Sequence, residues 1–219
     1  MKNLFSTSIG KKFAMAISAI FLMIFLLQHF IINITSVFSE DIFNMLSHFM
    51  GTNFLVQFIL QPILIAGVLF HFIMGFYLEI QNRKAAKYEY QKEKGSANST
   101  WMSRNMITSG LVILAFLVLH FIDFWVPEMN YKYIEFLPED PNRYYEELVH
   151  KFENPLRVAM YCLSFVLLAL HLLHGFTSSL RSMGTNKSYV SSAKTAGIIY
   201  SIGIPLGFCV IAIFHYLNH

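Results

Sequence analysis

The sequence predicts an all-α, polytopic membrane protein, and three observations lead there. Of 219 residues, 55% are hydrophobic and only 13% are charged, against about 25% charged in a typical soluble domain. The apolar residues gather into five runs, each matching the roughly 20 helical residues that a bilayer crossing takes. The two cysteines, Cys162 and Cys209, both fall inside apolar runs, so neither a disulfide framework nor a thiolate metal site is indicated.

The first run extends from Phe13 to Thr35. It is too long for a signal peptide, and no small-residue cleavage site follows it. The second runs from Gln57 to Ile80, with Pro62 near its start, and the third from Arg104 to Val126. The fourth covers Leu156 to Leu180 and the fifth Lys194 to Leu217. Pro205, flanked by Gly203 and Gly207, predicts a kink in the fifth. The long connection from Pro127 to Pro155 contains Glu146-Glu147-Leu148-Val149 and several aromatics, the pattern of an ordered cap with a short helix. No soluble domain is expected, so residues 1–219 read as a single membrane domain.

Charge sets the expected orientation. One face collects 12 of the 16 Lys and Arg: Lys2, Lys11, Lys12, Arg83, Lys84, Lys87, Lys92, Lys94, Arg104, Arg181, Lys187 and Lys194. Only Lys132, Arg143, Lys151 and Arg157 belong to the other. The positive-inside rule therefore places the N-terminus in the cytoplasm and the C-terminus outside.

Ionisable side chains inside a membrane span are costly and point to function. His29, His71, His120 and His171 each occupy a different one of the first four runs. Counted from the midpoint of its run, His29 lies about 7 Å to the outer side, as does His120. His71 and His171 each lie about 4 Å to the inner side. The chain thus offers two depth-matched pairs, roughly 11 Å apart along the membrane normal. Neutral imidazoles facing each other across a bundle supply both axial ligands of a haem iron, so the expected architecture is a five-helix bundle enclosing two haems b. A lone intramembrane histidine bonding a neighbouring helix is the plainer alternative. A zinc site would need three or four ligands at one depth, which this arrangement lacks. His48, His150, His215 and His219 fall in loops or near outer ends and read as interfacial polar residues.

The second and fourth runs share a local pattern, His71-Phe72-Ile73-Met74-Gly75 and His171-Leu172-Leu173-His174-Gly175. A glycine four residues after a histidine lies on the same helix face, where a flat macrocycle can approach the backbone. The pattern favours His171 over His174 as the ligand and leaves His174 near a propionate.

With five runs, a cytoplasmic N-terminus and one histidine on each of the first four, the whole chain resembles a known family. This is the single-polypeptide, di-haem cytochrome b subunit of succinate dehydrogenase and fumarate reductase. Ser6-Thr7-Ser8-Ile9-Gly10-Lys11-Lys12 is similar to that family's approach to the first helix. Asn154-Pro155-Leu156-Arg157, with Asn186, Lys187 and Tyr189, resembles the form seen in the Bacteroidetes. The resemblance implies that His29 and His120 hold an outer, distal haem and that His71 and His171 hold an inner, proximal one. It implies a bacterial cytoplasmic membrane location and partnership with a flavoprotein and an iron–sulfur protein on the cytoplasmic face. It further implies electron relay to menaquinone, in the respiratory chain and the tricarboxylic acid cycle.

Arg83 and Arg181 are the expected propionate partners, and Arg157 a further cofactor contact. Gln28, Gln57, Gln61 and Asp123 are candidate quinone contacts, with Asn33 beside them. Some family members carry a glutamate near the fourth-helix ligand; here Ala169 and its neighbours are apolar. The chain holds no Gly-rich dinucleotide motif and no cysteine cluster, so no dehydrogenase active site is expected in it. No nucleic-acid partner is expected. Two other function classes fit the residues: a cytochrome b anchor of a hydrogenase or formate dehydrogenase, and a haem-free channel or transporter with histidine proton relays.

Overall fold

The computed structural model describes residues 7–89, 105–185, 189 and 192–218. Lys2, Ser6, Lys92, Lys94, Arg104, Asn186, Lys187 and His219 lie outside the described residues, and so does most of one basic connection. Among the described residues there are helices and no strands.

Helix α1 (Ser8–Ile34) starts where the Thr7 side chain accepts the Gly10 amide hydrogen at 3.0 Å, satisfying one orphan donor of the first turn. Lys11 in that turn reaches Tyr77 of the second span at 2.8 Å. A tighter turn over Thr35–Val37 ends the span. Ser39 then caps α2 (Glu40–Thr52), whose first turn carries Glu40 and Asp41, the sign that a helix N-terminus favours. With 13 residues, α2 is too short to cross a bilayer.

A π-helical turn, Val56–Leu60, leads into α3 (Gln61–Glu89). The third span is α4 (Met106–His120), a second π turn (Phe121–Trp125) and α5 (Val126–Tyr133) in one continuous rod. Helix α6 (Arg143–Phe152) follows. Asn154 caps α7 (Pro155–Ser182) by accepting from the amides of Leu156 and Arg157. That explains Asn154-Pro155 physically: a capping side chain followed by proline at the first helical position. Helix α8 (Lys194–Leu217) continues through the buried Pro205.

Five helices are therefore long and apolar enough to cross a membrane: Ser8–Val37, Val56–Lys84, Met106–Tyr133, Pro155–Ser182 and Lys194–Leu217. The first four extend beyond one or both ends of their apolar runs, because backbone hydrogen bonding carries a helix on into its polar flanks. The third span continues to Tyr133 rather than stopping at Val126. Large apolar side chains stand exposed on every span, among them Ile24, Ile73, Leu111, Leu163 and Ile199, as a lipid-facing surface requires.

Close neighbours run first to second, second to third, third to fourth and fourth to first, and α8 packs outside this ring against α7 and α1. The first span thus faces the third across the ring, and the second faces the fourth. Gly207 admits the Phe30 ring from α1: a Cβ there would lie 2.3 Å from it. Such close approach is how small residues join membrane helices. The tightest core lies toward the face where the chain ends. There Phe43, Leu148, Phe152, Tyr161, Phe165 and Phe208 pack together.

The cap at that face joins α2, α5 and α6. Asn44 accepts the Tyr145 amide hydrogen at 2.8 Å, and Ser36 meets His215 at 2.9 Å. Arg143 pairs with Glu128 and, at 2.6 Å, with Glu147; Lys132 also pairs with Glu128 and donates to the Gly51 carbonyl. Burial opposes the Arg143 charge, but the hydrogen bonds it donates to Glu128 and Glu147 outweigh that and hold the guanidinium above its ordinary value. Burial, with Glu128 beside it, pushes the Tyr144 phenol up to about 12. The short cap helix expected between Pro127 and Pro155 is α6; α2, lying before the second span, had no counterpart in the sequence reading.

Arg143→Met should destabilise the chain by about 2 kcal/mol, because it removes the guanidinium from Glu128 and leaves that carboxylate only Lys132 and a long Tyr144 contact. Glu147→Gln, at a side chain 44% exposed, should cost under about 1 kcal/mol. Thermal unfolding of both variants in detergent measures the difference.

Candidate functional site

The four histidines meet as two pairs across the diagonals of the ring. His29 of α1 and His120 of α4 have ring centroids 5.8 Å apart. His71 of α3 and His171 of α7 have centroids 6.4 Å apart. These are the pairings that depth along the sequence expects.

At the first pair, Phe25 stacks on His29 at 5.5 Å and Phe116 on His120 at 5.8 Å. Each phenylalanine lies four residues earlier on the same helix, one turn away. Phe208 of α8 closes on His29 at 5.7 Å. The Asn33 amide donates to the His29 carbonyl at 2.8 Å, so it serves mainly the local backbone. His120 Nδ1 is buried and has no hydrogen-bond partner.

His120 is the last residue of α4, and the π turn begins immediately after it. The wider turn directs Asp123 inward, where its side chain is 2% exposed. Arg157 pairs with it from α7, and the Tyr161 hydroxyl donates to it at 2.8 Å. A lone carboxylate at this depth would be costly. The Arg157 side chain, 30% exposed, supplies the countercharge while reaching toward the surface. Two residues proposed separately, for quinone and for cofactor, are thus partners of each other.

At the second pair, Ser18 Oγ lies 3.0 Å from His71 Nδ1 and Ser109 Oγ lies 3.1 Å from His171 Nδ1. Each serine also donates to the carbonyl three residues earlier, of Met15 and of Met106, at 2.9 Å. A Cβ at Gly75 would sit 3.5 Å from the Met15 methyl, and one at Gly175 would sit 3.8 Å from that of Met106. The two glycines therefore face flexible methionine ends on the neighbouring helices. His174 lies near both Arg181 and His171. Arg83 is paired with Glu79 at 2.7 Å and largely exposed, so its charge is already balanced.

The remaining quinone candidates have separate surroundings. Gln28 donates to the Met50 sulfur at 3.6 Å. Gln57 accepts from the Tyr133 hydroxyl at 3.0 Å and lines a cavity of about 300 Å³ with His48, Tyr131, Lys132, Arg143 and Tyr144. Gln61 opens α3 beyond the π turn. Among the described residues, no three His, Cys, Asp or Glu side chains converge on one point, whereas a zinc site needs at least three protein ligands.

The serines escaped the sequence reading, yet a signal for them is present. Met15, Ser18, Phe25 and His29 recur with identical spacing as Met106, Ser109, Phe116 and His120. Eleven residues separate serine from histidine, three helical turns on one face and a rise of roughly 16 Å. The first and third spans thus present a histidine to one pair and a serine to the other. Searches against protein-family models, curated proteins and solved structures find no match.

Asp123→Ala should lower stability by about 3 kcal/mol, since it leaves Arg157 and Tyr161 without their acceptor. Gln57→Ala, which removes one exposed hydrogen bond, should cost under about 1 kcal/mol. Denaturant unfolding in detergent compares them.

Proposed function

We propose that this chain is the membrane anchor and di-haem electron-transfer subunit of a succinate:quinone oxidoreductase. One observation carries the reading: four histidines from four spans meet as two pairs across the bundle. A metal–imidazole bond is about 2 Å long, so two imidazoles that shared one metal would have centroids within roughly 6 Å of each other. The pairs stand at 5.8 and 6.4 Å. Nδ1 of His71 and of His171 is engaged by a serine hydroxyl, which leaves Nε2 of each ring for a metal. The donor set, neutral nitrogen without carboxylate or thiolate, suits bis-histidine haem b.

When bound, such haems supply one-electron transfer. The chain's own residues do the rest. His29 and His120 would hold one group, flanked by Phe25 and Phe116, and His71 and His171 the other. Gly75 and Gly175 would keep their helix faces low, with the flexible ends of Met15 and Met106 against them. The basic connections on the N-terminal side, read as cytoplasmic, would dock an iron–sulfur protein. Electrons would enter at the His71/His171 level and leave near the other face to menaquinone, where the buried Asp123, three residues after His120, and its half-buried partner Arg157 place polar groups. Succinate chemistry would reside in the partner flavoprotein.

A pyridine haemochrome assay of the purified chain should find two b haems per polypeptide; one or none ends this reading. His171→Ala should release one haem and His174→Ala none. Flavin and iron–sulfur proteins should co-purify with the complex from native membranes, which separates this enzyme from other cytochrome b anchors.

A further inference from the structure

We propose that Ser18 and Ser109 are positioning residues that fix the ring tautomer of His71 and His171 and lower the midpoint potential of the haem those histidines hold. The inference rests on the di-haem reading above and goes beyond it.

Each hydroxyl has one proton to give and two lone pairs. Ser18 donates its proton to the Met15 carbonyl, and Ser109 to that of Met106, both at 2.9 Å. The oxygen is then left to accept. The imidazole Nδ1, at 3.0 Å in one case and 3.1 Å in the other, carries the hydrogen and donates it. That assignment leaves a bare lone pair on Nε2, the nitrogen free to bind iron. It also orients the ring, because Nδ1 is tethered to a serine on a different helix. The hydrogen bonds run in series, from ring to hydroxyl to carbonyl, and each strengthens the next.

The other pair is built differently. His120 Nδ1 has no partner. Around the His29 ring, the Asn33 amide lies 3.4 Å from Nδ1 and 3.5 Å from Nε2 while its good bond, at 2.8 Å, goes to the backbone. Hydrogen-bond donation from a ligating imidazole raises its basicity. A more basic ligand favours the oxidised, more positive iron and so lowers the potential. The serines therefore act on one haem and leave the other untouched. The repeated Met-x2-Ser spacing on the first and third spans applies the same device to both ligands of that haem.

The test is an optical redox titration of the purified di-haem chain. Loss of a component in His171→Ala first assigns which step belongs to the His71/His171 level. Ser18→Ala and Ser109→Ala should each move that step to higher potential, and the double variant should move it further. The other step should stay in place. Ser18→Thr and Ser109→Thr, which keep the hydroxyl, should restore the original value. Where an alanine variant releases the haem, Ser18→Cys and Ser109→Cys decide: a thiol is a weaker acceptor, so the step should still rise relative to the threonine variants. Haem-loaded variants with an unmoved step, or with both steps moved equally, overturn the serine assignment and leave the di-haem reading standing. A wild-type chain without two b haems overturns that reading, and the serine assignment with it.

Discussion

Asp123 shows the constraint on which the rest of this structure depends. Its carboxylate is nearly closed off from solvent, in a span whose other surroundings are aromatic and aliphatic. Water cannot satisfy it, so the protein must. Arg157 and Tyr161 do so from α7, and that contact sets the third and fourth spans against each other. The same requirement recurs at every level of the bundle. Ser36 meets His215, Ser18 meets His71 and Ser109 meets His171. The Tyr200 hydroxyl reaches back to the Met23 carbonyl at 2.5 Å. In an apolar medium hydrophobic burial does little to choose between helix faces, so polar contacts and close small-residue packing carry that choice.

Packing is divided unevenly under this constraint. The fourth and fifth spans and the cap supply most of the buried apolar core, whereas the second span contributes no buried residue among those described. His71 therefore sits on a helix that the chain itself covers sparsely. Lipid on one side and a bound group on the other would complete its surroundings under the proposed function. The cap reinforces the opposite face: Arg143, Lys132, Glu128 and Glu147 form one ion-pair cluster that ties α2, α5 and α6 over the bundle.

The proposed relay draws on both features. A rigid ring of four spans holds imidazoles at two levels, and the diagonal arrangement brings together histidines that are distant in sequence. Aromatic rings at i−4 flank one pair and serine hydroxyls anchor the other. The two levels, though alike in ligand type, are thus given different immediate chemistry by the same two helices, the first and the third.

Much of this was legible in the residues themselves. Apolar runs of about 20 residues are long enough for helices that cross a bilayer, and the depth of each histidine along its run already sorted the four into the pairs that meet. Helix ends were less legible, because hydrogen bonding continues past the apolar stretch, as from Val126 to Tyr133. The cap helix α2 was missed because Glu40–Thr52 is short, its pattern broken by polar residues. Only the tertiary structure decided which polar groups belong together. Asp123 and Arg157 are 34 residues apart in sequence, Ser18 and His71 are 53 apart, and no local pattern links either pair. The reason is physical: a chain's own periodicity reports which face of a helix is apolar, while the partner of a buried polar group depends on how helices pack, and that is a property of the bundle.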